Sequence, residues 1–237
     1  MRYMPSLVVR SIFRMYLKVF LSFIGKDRIR SILLSDEENK LLNFTSDSSF
    51  LDSSGWLKSY AKKQPVDKDE NPIPWTTFGY IFFIEERLNE EMSLFEFGSG
   101  NSTSFYSKRV GSVTSVEHDY DWFNKIQASA PKNVLISYQE LERGGSYCKF
   151  ALRSGTQYDI IIVDGRDRVN CCINSVDALS ESGVIVLDDS ERKKYSEAIQ
   201  FLKNQSFKKI DFWGMAPGIS FNKCTSIFYR EENCLGI

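Results

Sequence analysis

The chain has 237 residues, a formal net charge of −1 and 42% apolar residues. This length allows one large α/β domain with an accessory segment, and the apolar share is sufficient for a core. The charge is uneven, because residues 1–30 hold seven basic residues and one acidic residue, which leaves the rest of the chain acidic. An acidic body argues against a nucleic-acid partner, since such partners require a basic surface.

The cysteine pattern indicates a reducing, cytoplasmic location. The five cysteines follow no metal-binding spacing, and two of them, Cys171 and Cys172, are adjacent, so they do not form a disulfide framework. No segment approaches the roughly 20 apolar residues that a membrane span requires. The sequence also predicts no secretory signal, because Arg10 and Arg14 interrupt the apolar run near the N-terminus.

Residues 5–24 are predicted to form a basic amphipathic helix, in which Arg10, Arg14 and Lys18 are spaced four apart on one stripe. Two interpretations remain open. In the first, the helix lies on a membrane surface and the protein is membrane-peripheral. In the second, the helix packs against the rest of the chain or against a partner subunit, as in a homo-oligomer.

Further along, Ser35 to Glu38 is a capping-box pattern that opens a short helix. The segment Gln64 to Pro74, with three acidic residues and three prolines, predicts a linker. The chain is therefore divided into a helical N-terminal segment over 1–70 and a second domain over 71–237.

From Ser93 onward, strand and helix patterns alternate. The predicted strands are 93–97, 112–117, 133–137, 158–163 and 183–187, and the predicted helices are 102–109, 120–129, 168–180 and 190–204. Two final strand-like runs, 207–213 and 223–229, are joined by a connection too short for a crossover helix and should form an antiparallel hairpin. The pattern predicts a Rossmann-like, doubly wound α/β fold with a mostly parallel seven-stranded sheet.

The most informative motif runs from Leu94 to Thr103 and is followed by a second strand that ends at Glu117. An apolar strand enters a glycine-rich turn, and an acid at the tip of the next strand is placed to accept ribose hydroxyls. Glu96 stands two residues before the first glycine. A carboxylate there favours a cationic, phosphate-free ligand over a dinucleotide, and Thr103 stands where a dinucleotide fingerprint has its third glycine.

Together with the segment Tyr158 to Gly165, these motifs resemble the class I S-adenosylmethionine (SAM)-dependent methyltransferases over residues 75–237. The resemblance implies that SAM is the cofactor and that Glu117 binds its ribose, with His118 beside the adenine. It also implies further cofactor-binding residues, which are Glu96, Gly98, Ser99, Gly100, Asn101, Tyr138, Gln139 and Asp164.

A narrower resemblance concerns the metal-dependent O-methyltransferases of small molecules and sugars. It implies a Mg²⁺ ion held by Asp164, Asp188 and Asp189, which would lower the pKa of the acceptor hydroxyl. These enzymes have a lysine shortly after the first acid, whereas this chain has Arg166 and Arg168. Arginine stays protonated and cannot act as a general base, so these arginines are expected to hold an anionic substrate group, such as a uronate or phosphate. Asp164 and Arg166 are the predicted catalytic residues. In the alternative, Asp164 acts without metal, and Asp188 with Asp189 caps the next helix.

The predicted function is SAM-dependent methyl transfer to a hydroxyl of a small molecule or sugar. Two alternatives remain: an NAD-dependent oxidoreductase, and a catalytically inactive SAM-fold module that acts as a subunit. Glu96, Thr103 and the terminal hairpin argue against the first alternative, and the intact glycines and acids argue against the second.

Overall fold

A computed structural model describes Ser35, Glu38 and residues 43–237. The chain divides into two compact units, Met1–Asp52 and Ser53–Ile237. In the first unit, the backbone N and Oγ of Ser35 donate to Glu38 Oε2 at 2.8 and 2.9 Å, and the Glu38 amide donates to Ser35 Oγ at 3.3 Å. The predicted capping box is therefore confirmed, whereas the predicted helix over residues 5–24 lies outside the described residues.

The second unit contains a seven-stranded sheet. Its strands are β1 Ser93–Phe97, β2 Ser112–Glu117, β3 Val134–Tyr138, β4 Tyr158–Val163, β5 Leu179–Asp188, β6 Lys208–Ala216 and β7 Ile219–Tyr229. Their order across the sheet is β3-β2-β1-β4-β5-β7-β6. The first five pair in parallel, and β7 runs antiparallel to both of its neighbours. The predicted fold class is confirmed.

Among the described residues, three helices precede β1, and five fill the connections between successive strands up to β6. They are α1 Phe50–Ser53, α2 Trp56–Lys62, α3 Phe78–Glu85, α4 Asn101–Ser107, α5 Tyr120–Gln127, α6 Phe150–Arg153, α7 Arg168–Ser175 and α8 Ser196–Asn204, with 3₁₀ turns at Val176–Ala178 and Lys193–Tyr195. The helix predicted over 168–180 ends earlier, because buried Leu179 already pairs with Tyr158 and begins β5. Within the described residues, no helix is both long and apolar enough to cross a bilayer.

The central strands are buried on both faces. The core on one face contains Phe95, Ile161 and Ile185. The core on the other face contains Ile160 and Val184, which precede Ile161 and Ile185 along their strands. Continuous apolar runs form such strands because helices cover both faces of a parallel sheet. As a result, the polar residues that follow β1, β2, β4 and β5 all lie at one edge of the sheet, where their strands end.

The segment predicted as a linker is part of the second unit. Within it, Val66 and Ile73 are only 5% and 6% exposed. Ser59 Oγ donates to the carbonyl of Val66 at 2.7 Å and accepts from its amide at 2.9 Å, and Asn101 Nδ2 donates to the carbonyl of Pro65 at 2.8 Å. The compact unit therefore begins at Ser53 rather than at the predicted boundary near residue 71.

The C-terminal hairpin forms as predicted, with longer strands. Its turn lies at Pro217 and Gly218, where Gly218 has φ +69°. A Cβ on Gly218 would lie 2.8 Å from the amide nitrogen of Tyr60. Glycine is therefore required here both for the left-handed conformation and for the close packing on α2.

Candidate active site

A pair of glycines brings the turns after β1 and β4 together. Gly98 has φ +95°, and a Cβ at this position would lie 3.3 Å from the Cα of Gly165. A Cβ on Gly165 would lie 2.1 Å from the hydroxyl oxygen of Tyr147. A side chain at either position would press against the protein itself, so the two glycines allow these turns to pack closely together.

Glu96 is buried beneath the first turn and is 1% exposed. Its Oε1 accepts from Ser102 Oγ at 2.5 Å, and its Oε2 accepts from Thr103 Oγ1 at 2.6 Å. Burial raises the pKa of Glu96 to about 8, although the two hydroxyl hydrogen bonds oppose the shift. A cationic ligand next to this carboxylate would stabilise its ionised form.

Glu117, at the end of β2, is held firmly in place. Its Oε2 accepts from the amide and hydroxyl of Ser99 at 3.1 and 3.2 Å. Its Oε1 accepts from the amides of His118 and Asp119 at 2.7 and 2.9 Å. Amide donors to an ionised carboxylate form strong hydrogen bonds, so the side chain is fixed against the glycine turn.

Most of the predicted site residues line one cavity of about 330 Å³ at this edge of the sheet. Its lining residues are Glu96, Phe97, Gly98, Ser99, Ser102, Glu117, His118, Asp164, Gly165, Arg166 and Arg168. We call it the cofactor cavity. Phe97, Ser102 and Gly165 are not among the predicted site residues, and Arg168 is predicted only as a partner of an anionic substrate group. Ser102 is the second residue of α4, and its hydroxyl group binds the buried carboxylate of Glu96.

Four predicted cofactor residues do not line this cavity. Gly100 and Asn101 line a neighbouring cavity of about 200 Å³, which shares Ser99, Ser102 and Asp164 with the first. Tyr138 and Gln139 line neither of the two cavities. Tyr138 instead packs edge-on against Tyr120, with ring centroids 5.1 Å apart, so the contact of these two residues with adenine stays a prediction.

Asp164, which follows β4, is the acid most open to the cofactor cavity, with its side chain 24% exposed. Arg168, one helical turn later, places Nη2 2.7 Å from Asp164 Oδ1 and Nη1 3.3 Å from Asp189 Oδ2. Burial, followed by the nearby carboxylate of Asp188, raises the pKa of Asp164, and the Arg168 guanidinium opposes this shift.

Asp188 and Asp189, at the end of β5, are paired with a lysine from the C-terminal hairpin. Lys223 Nζ lies 2.8 Å from Asp188 Oδ2 and 3.0 Å from Asp189 Oδ1. Asp188 Oδ1 also accepts from Thr225 Oγ1 at 2.7 Å. The two carboxylates are therefore bound by side chains of the protein itself.

This pairing corrects the predicted Mg²⁺ site. Arg168 and Lys223 occupy the positions between Asp164, Asp188 and Asp189 that a metal ion would need. Among the described residues, no three acidic, histidine or cysteine side chains converge as a ligand set. The residues do not fit Mg²⁺. The alternative of a helix cap is also wrong, because the side chain of neither acid accepts from the first amides of α8.

No protein-family model matches the chain, and no curated protein sequence matches it. Solved structures do match. The precorrin-6y C5,15-methyltransferase of Geobacter metallireducens GS-15 is 16% identical with a TM-score of 0.51, over 71% of this chain and 98% of that chain. The chain has a methyltransferase-type Rossmann-like fold.

Two further solved structures match at lower TM-scores. The precorrin 8W decarboxylase of Methanobacterium thermoautotrophicum is 15% identical with a TM-score of 0.47, over 71% of this chain and 97% of that chain. The fibrillarin of Aeropyrum pernix, in complex with SAM, is 10% identical with a TM-score of 0.47, over 60% of this chain and 68% of that chain.

In this methyltransferase-type fold, the cofactor cavity lies where the strand order reverses. The chain runs outward from β1 through β2 to β3, and then returns to place β4 on the other side of β1. Ligands of open α/β sheets bind at this switch point, outside the carboxyl ends of the strands. The cavity therefore lies where the fold positions a ligand.

The glycine turn of the methyltransferase-type fold is unsuited to a pyrophosphate. The Ser99 amide already donates to Glu117 Oε2, and the Gly100 amide donates to Thr103 Oγ1 at 2.9 Å. A dinucleotide needs such amides for its phosphates, and the buried carboxylate of Glu96 lies beneath this turn. This geometry does not favour the alternative of an NAD-dependent oxidoreductase.

Proposed function

We propose that the protein transfers a methyl group from SAM to a hydroxyl group of a small molecule or sugar. The observation that carries the proposal is the placement of Glu96, Glu117 and Asp164 around one cavity at the switch point. SAM combines a ribose diol with cationic sulfonium and ammonium groups and carries no phosphate. In this proposal Glu117 matches the ribose diol and Glu96 matches the cationic part, which leaves Asp164 to face the acceptor.

Glu117 is proposed to bind the ribose. Its carboxylate is fixed by three backbone amides, from Ser99, His118 and Asp119, so it is already oriented before a ligand arrives. Among the described residues, the hydroxyl of Ser99 is the one side-chain hydroxyl bound to it, at 3.2 Å. We expect a ribose hydroxyl to replace this contact, since one neutral hydroxyl donor then substitutes for another.

Glu96 is proposed to face the cationic part of SAM. Its carboxylate lies in a region that excludes water, where the attraction between opposite charges is stronger than in solvent. A positive ligand would therefore keep Glu96 ionised, and Ser102 and Thr103 would hold it in position.

Asp164 is proposed to accept the proton of the acceptor hydroxyl. The oxygen of the acceptor forms a bond to the methyl carbon while the carbon–sulfur bond breaks. The electron pair stays on sulfur, and the hydroxyl proton passes to Asp164. A carboxylate with a raised pKa is a better general base near neutral pH than an ordinary one. Alignment of the reacting atoms supplies most of the rate enhancement.

The proposal is tested by comparing Asp164→Asn with the unchanged protein, using SAM with a radiolabelled methyl group and a panel of hydroxylated small molecules and sugars. We expect the rate of transfer to fall by roughly 10²- to 10⁴-fold, the scale of general-base catalysis, while SAM affinity changes little. Absence of SAM binding in the unchanged protein would overturn the proposal, and so would transfer to amines but to no hydroxyl.

A further inference from the structure

A second cavity of strongly basic character adjoins the cofactor cavity. It has a volume of about 270 Å³ and shares Gly165, Arg166 and Arg168 with the cofactor cavity. Its charged lining residues are Arg143, Arg166, Arg168, Arg192, Lys194 and Asp167. We call it the basic cavity. Five positive side chains and one negative side chain around one opening contrast with the acidic character of the chain beyond residue 30.

Three of the five basic side chains have no carboxylate partner. Arg168 is paired with Asp164 and Asp189, and Arg192 Nη2 lies 2.8 Å from Asp189 Oδ2. Among the described residues, no carboxylate lies within ion-pair distance of Arg143, Arg166 or Lys194. These three side chains are exposed, so the basic cavity has positive charge that the protein itself does not neutralise.

The one acid of the basic cavity already has hydrogen-bond partners. Asp167 Oδ2 accepts from the amide of Gly144 at 2.8 Å, and its Oδ1 accepts from Asn170 Nδ2 at 2.8 Å. Asp167 thus connects the loop that carries Arg143 to the start of α7. Its role is to hold this loop over the cavity, and its carboxylate does not neutralise the three unpaired basic side chains.

We propose that the basic cavity binds an anionic group, a carboxylate or a phosphate, on the molecule that is methylated. This inference rests on the proposed function. Arginine binds both groups through paired N–H donors, and Arg143 and Arg166 supply two guanidinium groups, with the ammonium of Lys194 beside them. The acceptor is then a hydroxylated acid or a phosphorylated hydroxyl compound, such as an acidic or phosphorylated sugar.

The position of Arg166 supports this assignment. Arg166 lines both cavities, and Asp164 stands only two residues before it, at the edge of the cofactor cavity. An acceptor whose anionic group lies in the basic cavity would reach toward Asp164 with a neighbouring hydroxyl. The anionic group would therefore orient the hydroxyl for transfer.

The test uses binding calorimetry with three probes: glucuronate, glucose 6-phosphate and uncharged glucose. The double variant Arg143→Gln/Lys194→Gln is compared with Lys132→Gln/Lys203→Gln, which removes the same charge from exposed positions outside the basic cavity. We expect at least one anionic probe to bind at least 10-fold more tightly than glucose. The first double variant should lose at least 10-fold of that affinity, and the control should lose less than twofold. Tighter binding of glucuronate would indicate a site for a carboxylate, and tighter binding of glucose 6-phosphate would indicate a site for a phosphate.

Equal losses in the two double variants would overturn the inference, because they would show general charge attraction only. Equal binding of glucose and the anions would overturn it as well. S-adenosylhomocysteine affinity, measured on the same samples, should be unchanged in both double variants. A further outcome is that the protein binds an anion through Arg143 and Lys194 but fails to bind S-adenosylhomocysteine. That result would reject the proposed function, and the anion site would stand.

Discussion

The ammonium group of Lys223 lies 2.8 Å from Asp188 Oδ2, and the two residues are only 4% and 2% exposed. Antiparallel pairing of β7 with β5 places Asp188 opposite Thr225 and so brings Lys223 next to the acids at the end of β5. The attraction of Asp188 and Asp189 outweighs burial and raises the pKa of Lys223. The hairpin thus supplies the positive charge that these buried acids need.

We predict that Lys223→Met destabilises the protein by about 3–5 kcal/mol, because it leaves the buried carboxylate of Asp188 without its nearest cation. The free energy of unfolding in urea measures this effect. The matched control is Lys208→Met, which removes a lysine from an exposed pair with Glu231 and should change stability little. Equal effects of the two substitutions would show that the buried pair has no special role.

We also predict that the protein has no functional Mg²⁺ site between Asp164, Asp188 and Asp189. The positions of Arg168 and Lys223 leave these carboxylates with cationic partners already in place. Titration of Mg²⁺ into the complex with S-adenosylhomocysteine should therefore give no saturable heat, and EDTA should leave methyl transfer unchanged. Saturable Mg²⁺ binding that Asp188→Asn abolishes would contradict this correction.

SAM binding should release a proton at neutral pH. Glu96 has a pKa of about 8 in the ligand-free protein, so it is mostly protonated at pH 7. A cationic ligand favours the ionised form, and affinity should rise by up to about tenfold per pH unit below this pKa and level off above it. Calorimetry in buffers of different ionisation enthalpy measures the proton. Glu96→Gln should abolish the release, and an identical release in that variant would exclude Glu96 as its source.

The raised pKa of Glu96 also affects the stability of the protein. The unfolded chain loses the Glu96 proton near the ordinary pKa of 4.5, whereas the folded chain keeps it to about 8. The ligand-free protein should therefore become less stable as pH rises through this interval. Unfolding in urea across the same interval checks this contribution, which Glu96→Gln should remove.

The boundary of the compact unit gives a further prediction. A chain of residues 53–237 should fold and bind S-adenosylhomocysteine, whereas a chain of residues 71–237 should unfold more readily. The shorter chain lacks Trp56, whose Nε1 donates to the carbonyl of Ile219 at 2.9 Å, and the buried Val66. Thermal unfolding of the two chains measures the difference. Equal stability would mean that residues 53–70 contribute nothing to the unit.

The sequence predicts the sheet and the cofactor end of the site because both depend on local patterns. Strand β1 and its turn, with Glu96 and Gly98, are adjacent in sequence, and the end of β2 at Glu117 follows from one strand–helix repeat. The pairing of Lys223 with Asp188 depends instead on the register of the terminal hairpin, across 35 sequence positions. Without that register, the acids at the end of β5 have the sequence pattern of metal ligands.

The segment predicted as a linker differs from the structure for another reason. Residues 64–74 have the proline and acidic content of an exposed connection, but Val66 and Ile73 are buried. Composition averages over a segment, whereas burial is decided at single positions. Two apolar side chains and a few backbone hydrogen bonds, such as that from Asn101 to Pro65, attach the segment to the unit.

The central claim is that Glu117 binds the ribose of SAM in the cofactor cavity. Titration of S-adenosylhomocysteine into the unchanged protein and into Glu117→Ala tests it most directly, with Glu181→Ala, an exposed glutamate at the opposite end of β5, as the control. We predict one binding site in the unchanged protein, a loss of about 1.5–3 kcal/mol in Glu117→Ala and no loss in the control. Unchanged affinity in Glu117→Ala would contradict the ribose site, and binding of NADH in place of S-adenosylhomocysteine would contradict the whole account.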